Sequence, residues 1–592
     1  MLQSLFHDEL LKFFENQIDS IEGLDEVEIH KYKEQLKVPA ESSNSVDSIR
    51  EWLKLLPHKI NWEKKILEWL PHKEAESLEI PSHLFPKMNR GLPRQDLQYI
   101  PSFTHLHSIK RCYLDKSLYS LYRDCEVFPS RIVVLTHVLN DGLGDFSAGY
   151  KAASLLDASL PNTEVHFVAL MDEKVEVETP EDISFYRVDY QRCDEVSLEQ
   201  FPSSTRELIS HCDLLFEVPT YFSETPKLLE EAKLPPRFLL MGEYGSIHHH
   251  LFHPETGAKA MGLHFLEKGI FINDSPTFKT FDEILHLTNP ALLNVLFSNT
   301  DPEEEEVQEY QATHRFYFAY LASKEGHFVY LHALTKLLED DRKNIDLSVP
   351  NMVHFLELFG EMKSYTHFTK CGINKIQFQF NEKFSELVLK KGKGKTLRII
   401  HLGNLPSSDF QILLRLSSEI AACRGDQSFS ECISANKVFF YNLIEHHRTL
   451  WEDFISLAAN RIPHFPTAIE YFRLFLIPLE EKSPTVLKKT AVRMGELLQN
   501  VETVRGIRLL YRIIRSEYAV NDFIVDMVKR SLLFSIEPEL EEKEKQIVDA
   551  YLEGDHSFSV FWDRMLMLLS PYKSKTPSIK EHLLRLYKRL TN

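Results

Sequence analysis

Apolar residues recur at helical spacing through the first 125 positions. Leu10, Leu11, Phe14 and Ile18 form one such set, Trp52, Leu53, Leu55 and Leu56 another, and Trp62, Ile66 and Trp69 a third. Pro57 and Pro71 each follow an apolar run and are placed to stop a helix. Pro81, Pro86, Pro93 and Pro101 then break the chain into what reads as an extended connector. The pattern changes at Arg131. Ile132 to Val138 is a short, mostly β-branched run, suited to a strand buried on both faces. A Gly-containing turn, a helical run from Ala148 to Leu156 and a second strand from Val165 to Leu170 complete one βαβ unit. Leu214–Val218 and Phe238–Met241 are further candidate strands.

The acidic run Glu303–Glu306 reads as a solvated helix start or linker. A second α/β pattern follows it. Phe316–Leu321 is expected as a strand, Gly326–Leu338 as a helix, and Met352–Leu356 as a strand. Leu397–Leu402 is a stronger strand, 409–423 looks helical, and Val438–Tyr441 is a late strand. Beyond about residue 443 the strands vanish, and Trp451, Ile455 and Ala458 open a series of helices. The expected fold class is α/β, with two Rossmann-like lobes and all-helical N- and C-terminal extensions. The expected division is 1–125 helical, 126–305 first lobe, 306–445 second lobe and 446–592 helical.

Composition narrows the partners. The 592 residues carry 68 Lys+Arg against 87 Asp+Glu, a net charge of −19, which opposes generic coating of nucleic acid. The local run Lys390, Lys391, Lys393 and Lys395 could bind a nucleotide, but reads first as a solvated turn. No apolar stretch approaches the roughly 18 residues of a membrane helix. Seven scattered cysteines without a CxxC suggest a reducing cytoplasm, and no Sec-type signal is visible.

Two short segments could carry chemistry. The first is Asp141-Gly142-Leu143-Gly144-Asp145, which follows a strand where open α/β sheets bind ligands. Its glycines, Gly144 included, let backbone approach a ligand, and its paired carboxylates suit a general base. The alternative is a capped helix start. A Ser stands where a dinucleotide fingerprint would have its third glycine, so that motif is not met. The second segment is Arg424-Gly425-Asp426-Gln427-Ser428. It reads as a helix start whose N–H groups could hold phosphate, with Arg424 and Ser428 adding charge and a hydroxyl. The alternative is a capping box of Ser428 and Glu431. Among other residues, His401 and Asn404 could contact a base, Lys324 a phosphate, and Glu243 is a spare acid. His248, His249, His250 and His253 form a dense group without completing a metal site. His446 and His447 are expected at the surface, with cleft lining as the alternative.

With both segments in view, the chain resembles GT-B glycosyltransferases, and most nearly the arginine rhamnosyltransferases that modify a bacterial elongation factor. In that family an Asp-Asn-Phe-Gly-Asp turn supplies two functional aspartates, at the places of Asp141 and Asp145. A Gly-Glu-Asp-Ser segment contacts the nucleotide diphosphate. Gly425-Asp426-Gln427-Ser428 stands in its place, with Asp426 where the family has Glu. The resemblance covers about 131–445. It implies a nucleotide-sugar co-substrate with no other cofactor and no metal, and inverting transfer to an acceptor. Asp145 would be the base and Asp141 would position the acceptor. Gly144, His401, Asn404, Arg424, Gly425, Asp426, Gln427 and Ser428 would form the donor site. The large helical extensions favour a protein acceptor, and resemble those of secreted bacterial effectors delivered into host cells. The competing functions are nucleotide-sugar hydrolysis or epimerisation on the same fold, and a helical interaction protein with a vestigial core.

Overall fold

The computed structural model describes residues 114–138, 143–175, 182–189, 201–219, 237–244, 259–273, 290–403 and 407–573, save six single positions, together with 18, 29–33, 177, 179 and 180. The chain divides into two compact units, one of Met1–Phe128 with Val525–Asn592, the other of Pro129–Ile524. Most of the expected N-terminal helical region lies outside the described residues.

The larger unit opens with a six-stranded sheet of β1 (Ser130–Val138), β2 (Thr163–Met171), β3 (Ser184–Asp189), β4 (Leu214–Glu217), β5 (Arg237–Gly242) and β6 (Lys259–Ala260). The strand order is β3-β2-β1-β4-β5-β6, and every neighbouring pair is parallel. That is the Rossmann order. Val134 pairs with Phe167 on one side and Phe216 on the other, and all three are fully buried. Helices α1 (Leu143–Ser159) and α2 (Ser203–Ser210) make two of the crossovers. Gly149 lets α1 lie close to the sheet, because a Cβ there would stand 2.8 Å from Thr136 Cβ and 2.9 Å from the Phe167 ring. This is the packing role of a third fingerprint glycine, supplied two positions beyond the Ser that the sequence pattern shows.

After α3 (Pro290–Phe297) and α4 (Glu304–Thr313), a second sheet forms from β7 (His314–Phe318), β8 (Asn344–Val349), β9 (Ile373–Phe380), β10 (Lys383–Val388) and β11 (Lys395–His401). The acidic run does start a helix, and the Glu306 carboxylate accepts the Glu303 N–H at 2.9 Å. The strand order is β10-β9-β11-β8-β7, with only the β9–β10 hairpin antiparallel. The parallel pair β12 (Ile420–Cys423) and β13 (Val438–Tyr441) joins the β7 edge through a parallel bridge between Ala319 and Ala422. Helices α5 (Lys324–Leu337), α6 (Val353–Glu361), α7 (Thr366–Lys370), α8 (Ser407–Leu416) and α9 (Asp426–Ser434) connect these strands. The fold is therefore α/β with two Rossmann-like parallel sheets, followed by a helical C-terminal segment.

Two local expectations are corrected. Met352–Leu356 is not a strand. Val353 starts α6, whose buried positions Phe355, Leu358 and Phe359 follow helical spacing. The helix expected over 409–423 stops at Leu416, and Ile420–Cys423 is a fully buried strand. A four-residue apolar strand directly after an apolar helix carries no separate periodic signal. The strand Asn344–Val349 was also missed, because Asp346 interrupts its apolar run. That carboxylate is 1% exposed, held by Arg398 at 2.8 and 2.6 Å and by the Tyr310 hydroxyl at 2.7 Å. The Lys390–Lys395 run forms the turn after β10. Its last member is buried, with Nζ donating to the carbonyls of Leu338 and Glu339.

The helices that follow are α10 (Arg448–Arg461), α11 (Pro466–Arg473), α12 (Ile477–Glu480), α13 (Pro484–Gln499), α14 (Val501–Glu517), α15 (Val520–Ile536), α16 (Pro538–Leu552) and α17 (Phe558–Leu569). Of these, α10, α11 and α14 pack on β13. Trp451 stacks on Tyr441 at 4.9 Å, Tyr511 stacks on Phe439 at 5.4 Å, and the Tyr471 hydroxyl donates to Phe439 O at 2.9 Å. The chain then returns to the first lobe. Ile270 N–H donates to Tyr518 O at 2.7 Å, Val520 N–H to Ile270 O at 2.9 Å, and the Asn521 side chain bonds both backbone groups of Ile272. Gly269 has φ 116°, and a Cβ there would stand 2.1 Å from Tyr518 O. In the smaller unit, 114–120, α16 and α17 share a core with Leu533 and Phe534. Arg530 and the Tyr122 hydroxyl both hold the buried Glu544 carboxylate. No described helix is long and apolar enough to cross a membrane.

Removing Arg398 strands a buried carboxylate. Arg398→Leu is expected to destabilise the larger unit by about 3–5 kcal/mol, and Arg398→Leu with Asp346→Leu by less than that. Urea unfolding of single and double variants, followed by the burial-sensitive fluorescence of Trp451, measures both.

Candidate active site

In each lobe the connections run one way from the first strand and then reverse. The reversal falls between β1 and β4 in the first sheet, and between β7 and β12 in the second. Loops at the carboxyl ends of strands flanking such a point form the crevice where open α/β sheets take ligands. The described parts of both segments singled out from sequence lie there: 143–145 at the start of α1, which follows β1, and Arg424–Ser428 after β12. Asp141 and Asn404 lie outside the described residues, as do His248, His249, His250 and His253.

Gly144 and Asp145 form the first turn of α1, with Gly144 exposed and Asp145 half-buried. A carboxylate in a first helical turn is favoured by the dipole. The Thr136 hydroxyl donates to Asp145 O at 3.3 Å and ties this turn to the end of β1. Two groups here were missed from sequence. His137 and Glu217 end the two strands at the reversal, 8% and 1% exposed, with His137 Nε2 4.0 Å from Glu217 Oε1. Burial lowers the His137 pKa to about 4. Strand-end histidines and glutamates within apolar runs were the available signal.

Helix α9 meets α1 directly. Lys151, two turns along α1, donates to Glu431 at 2.8 Å and Gln427 at 3.0 Å on α9, with the charged pair only 13% and 9% exposed. Gly425 takes φ 78° at the N-cap of α9, and no side chain caps the helix. The alternative capping box is absent, since Ser428 sits inside α9 and Glu431 is engaged by Lys151. The Ser428 hydroxyl instead donates to the carbonyls of Arg424 and Gly425. The first amides of α9 thus have no side-chain cap among the described residues. Arg424 lies over the Tyr320 ring at 5.0 Å.

Asp426 is the electrostatic centre of the site. Its side chain is 13% exposed, and Oδ1 has no hydrogen-bond partner among the described residues. Burial first, then the negative neighbours Glu243 and Asp145, raise its pKa well above the ordinary carboxylate range. Glu243 follows β5 and Asp145 lies in α1, so two first-lobe carboxylates converge on Asp426 at the start of α9 in the second lobe. His447 stands beside it, with Nε2 3.5 Å from Asp426 Oδ1. Burial, His446 and Arg424 lower the His447 pKa to about 3. The two histidines therefore part company: His446 is exposed as expected, whereas His447 turns inward. Among the described residues no three His, Cys, Asp or Glu side chains could hold a metal ion together.

The remaining candidates lie elsewhere along the mouth of the second sheet. His401 ends β11 and stacks on Phe380, which ends β9, at 4.5 Å and 8°. Phe380 is 51% exposed and was not singled out from sequence. Lys324 begins α5 and pairs with Glu361 at 2.6 Å. The start of α5 is fixed by Asn442, whose Oδ1 accepts the N–H groups of Ala322 and Ser323 at 2.7 and 3.0 Å. Gly326 admits that side chain, because a Cβ there would stand 2.6 Å from it.

No protein-family description matches the sequence, and no characterised protein matches it by sequence. Solved structures do overlap with it. One is the N-terminal domain of a Candida albicans trehalose-6-phosphate phosphatase, 14% identical, covering 69% of this chain and 97% of that one, TM-score 0.36. Another is an alpha-glucosyltransferase in complex with UDP and a mismatched DNA 13-mer, 11% identical over 68% and 99%, TM-score 0.38. A third is a Rickettsia africae glycosyltransferase, 12% identical over 68% and 98%, TM-score 0.35. Glycosyltransferases thus recur among the similar structures, at overlaps too low to assign an activity to this chain.

Proposed function

We propose that the chain is a GT-B-type glycosyltransferase that moves a sugar from a nucleotide donor to an acceptor, with inversion and without a metal. The observation that carries this is the apposition of the two reversal points, with an uncapped α9 start facing Asp145 across the Lys151–Glu431 contact. The diphosphate binds at the α9 amides, with Gly425 allowing close approach and Arg424 and Gln427 at its edge. Helix amides stabilise the charge that grows on the departing diphosphate. His401 and Phe380 offer a flat aromatic surface for the base. Ser428 acts by holding the loop, since its proton is spent on backbone carbonyls.

The acceptor lies against the first lobe, with Asp145 taking its proton as the new bond forms at the sugar carbon and the diphosphate leaves from the opposite face. Asp141 is proposed to orient the acceptor, and Gly144 adjoins Asp145 at the start of α1. A protein side chain is the proposed acceptor, because helical segments add surface beside the two lobes.

A thermal-shift panel of UDP-, GDP-, ADP-, CMP- and dTDP-sugars tests the donor site. A donor at 100 times its Kd stabilises by about 2.7 kcal/mol. Arg424→Ala is expected to weaken that donor at least tenfold. No shift with any donor at millimolar concentration overturns the proposal. Asp145→Asn is expected to keep donor binding and lower transfer by roughly 10²–10⁴-fold, read with a labelled sugar. Donor consumption at an unchanged rate without acceptor would identify a hydrolase instead.

Asp426 also makes stability depend on pH. Its folded pKa lies above the roughly 3.9 of an unfolded aspartate, so between those values the folded chain binds the extra proton. Stability therefore falls as pH rises from about 4 through the folded value. Asp426→Asn removes this slope. The variant is expected to melt with the wild type near pH 4 and above it at pH 8, and a difference independent of pH would contradict the assignment.

A further inference from the structure

His447 is the group at this site to which the proposed reaction gives no role. It ends the short 3-10 turn Glu445–His447, and its side chain is 13% exposed. Its Nε2 is 3.5 Å from Asp426 Oδ1. Neither Asp426 Oδ1 nor His447 Nδ1 has a hydrogen-bond partner among the described residues.

The surroundings decide the state of the pair. Asp145 and Glu243 bear on the carboxyl, and Tyr441 and Tyr244 also sense its charge. His446 and Arg424 bear on the imidazole, whose ring lies 6.1 Å from that of Tyr441. An aspartate–imidazolium ion pair would place its anion beside two carboxylates and its cation beside a guanidinium. The neutral pair avoids both conflicts. A neutral carboxyl has one O–H donor and a neutral imidazole one acceptor nitrogen, so the two are complementary in that state. Catalytic hydrogen bonds are often long in the absence of ligand and tighten on binding.

Asp426 is also the first residue of α9. Ionised there, it would oppose an anion bound at the same helix start. Neutral, it leaves the helix amides unopposed.

We infer that His447 is a positioning residue for Asp426, accepting the carboxyl hydrogen bond at Nε2 so that the start of α9 meets a diphosphate without a competing negative charge. The inference rests on the donor-site assignment proposed above, and two readouts separate the two. The first needs no ligand. In the full chain labelled with 13C at the aspartate carboxyls, Asp426→Asn identifies the Asp426 resonance, and its titration is followed in wild type and in two His447 variants. The wild-type midpoint is expected well above the ordinary aspartate value. His447→Leu, which removes the acceptor, should lower it by at least half a pH unit, whereas His447→Gln, which can still accept, should hold it near the wild-type value. A wild-type midpoint near 4, or one that His447→Leu does not move, overturns the inference.

The second readout is binding of inorganic pyrophosphate by calorimetry across the same pH range. Affinity is expected to fall at least tenfold as pH rises through the Asp426 midpoint, and to stay flat through that midpoint in Asp426→Asn. Pyrophosphate binding that does not change through the midpoint in the wild type overturns the inference and leaves the donor site standing. Absence of pyrophosphate binding at every pH removes the donor-site assignment, and the inference with it, whatever the carboxyl titration shows.

Discussion

The contact between α1 and α9 governs the rest of the site. Each helix begins at the reversal point of its own sheet, so whatever fixes one against the other fixes the crevice between the lobes. Lys151 does this from two turns inside α1, reaching both Gln427 and Glu431 on α9. A charged pair this buried is held by geometry, because either partner alone would carry an uncompensated charge. The pair sits beyond the first turns of both helices, so it joins them without occupying the amides of α9 or the carboxylate of Asp145.

Two further features hold that arrangement. The aromatic stacks of Trp451 on Tyr441 and Tyr511 on Phe439 clamp the helices after β13 onto the last strand, directly behind α9. The return of the chain at Tyr518–Asn521 then pairs backbone to backbone with Ile270 and Ile272 in the first lobe. Among the described residues the first lobe is therefore fastened in two ways, first to α9 by the Lys151 side chain and by the Asn273 N–H at the Ser434 hydroxyl, and second to this returning helical segment. Gly269 is required in the second, since no side chain fits against Tyr518 O. Between these fastenings the carboxylates of Asp145 and Glu243 are brought against Asp426, and the protonation of that residue follows from the approach of the lobes.

Much of this was legible in the chain. The buried strands β1, β2 and β13 are short apolar runs that announce themselves, and the described parts of the two candidate segments follow strands as the pattern suggested. What misled was local composition. Asp346 hid β8, because a carboxylate within a core strand makes sense only once Arg398 and Tyr310 are seen around it. Residues 352–356 are equally apolar as strand or as helix start, and the packing of Phe355 and Phe359 decided for helix. Gly149 was invisible as a packing glycine because it falls outside the fingerprint spacing.

The sequence by itself determined the α/β class, the tandem of two lobes, the helical character after β13, and which two segments carry the candidate chemistry. These depend on periodicity and on glycine and carboxylate chemistry within a dozen residues, which a linear pattern preserves. Tertiary structure alone decided the pairing of Asp426 with His447, the approach of Glu243 and Asp145, the Lys151 bridge and the inward use of the Ser428 hydroxyl. Those depend on distances between groups separated by up to some three hundred positions. Burial and charge at a residue are set by what the fold brings beside it, and no local pattern records that.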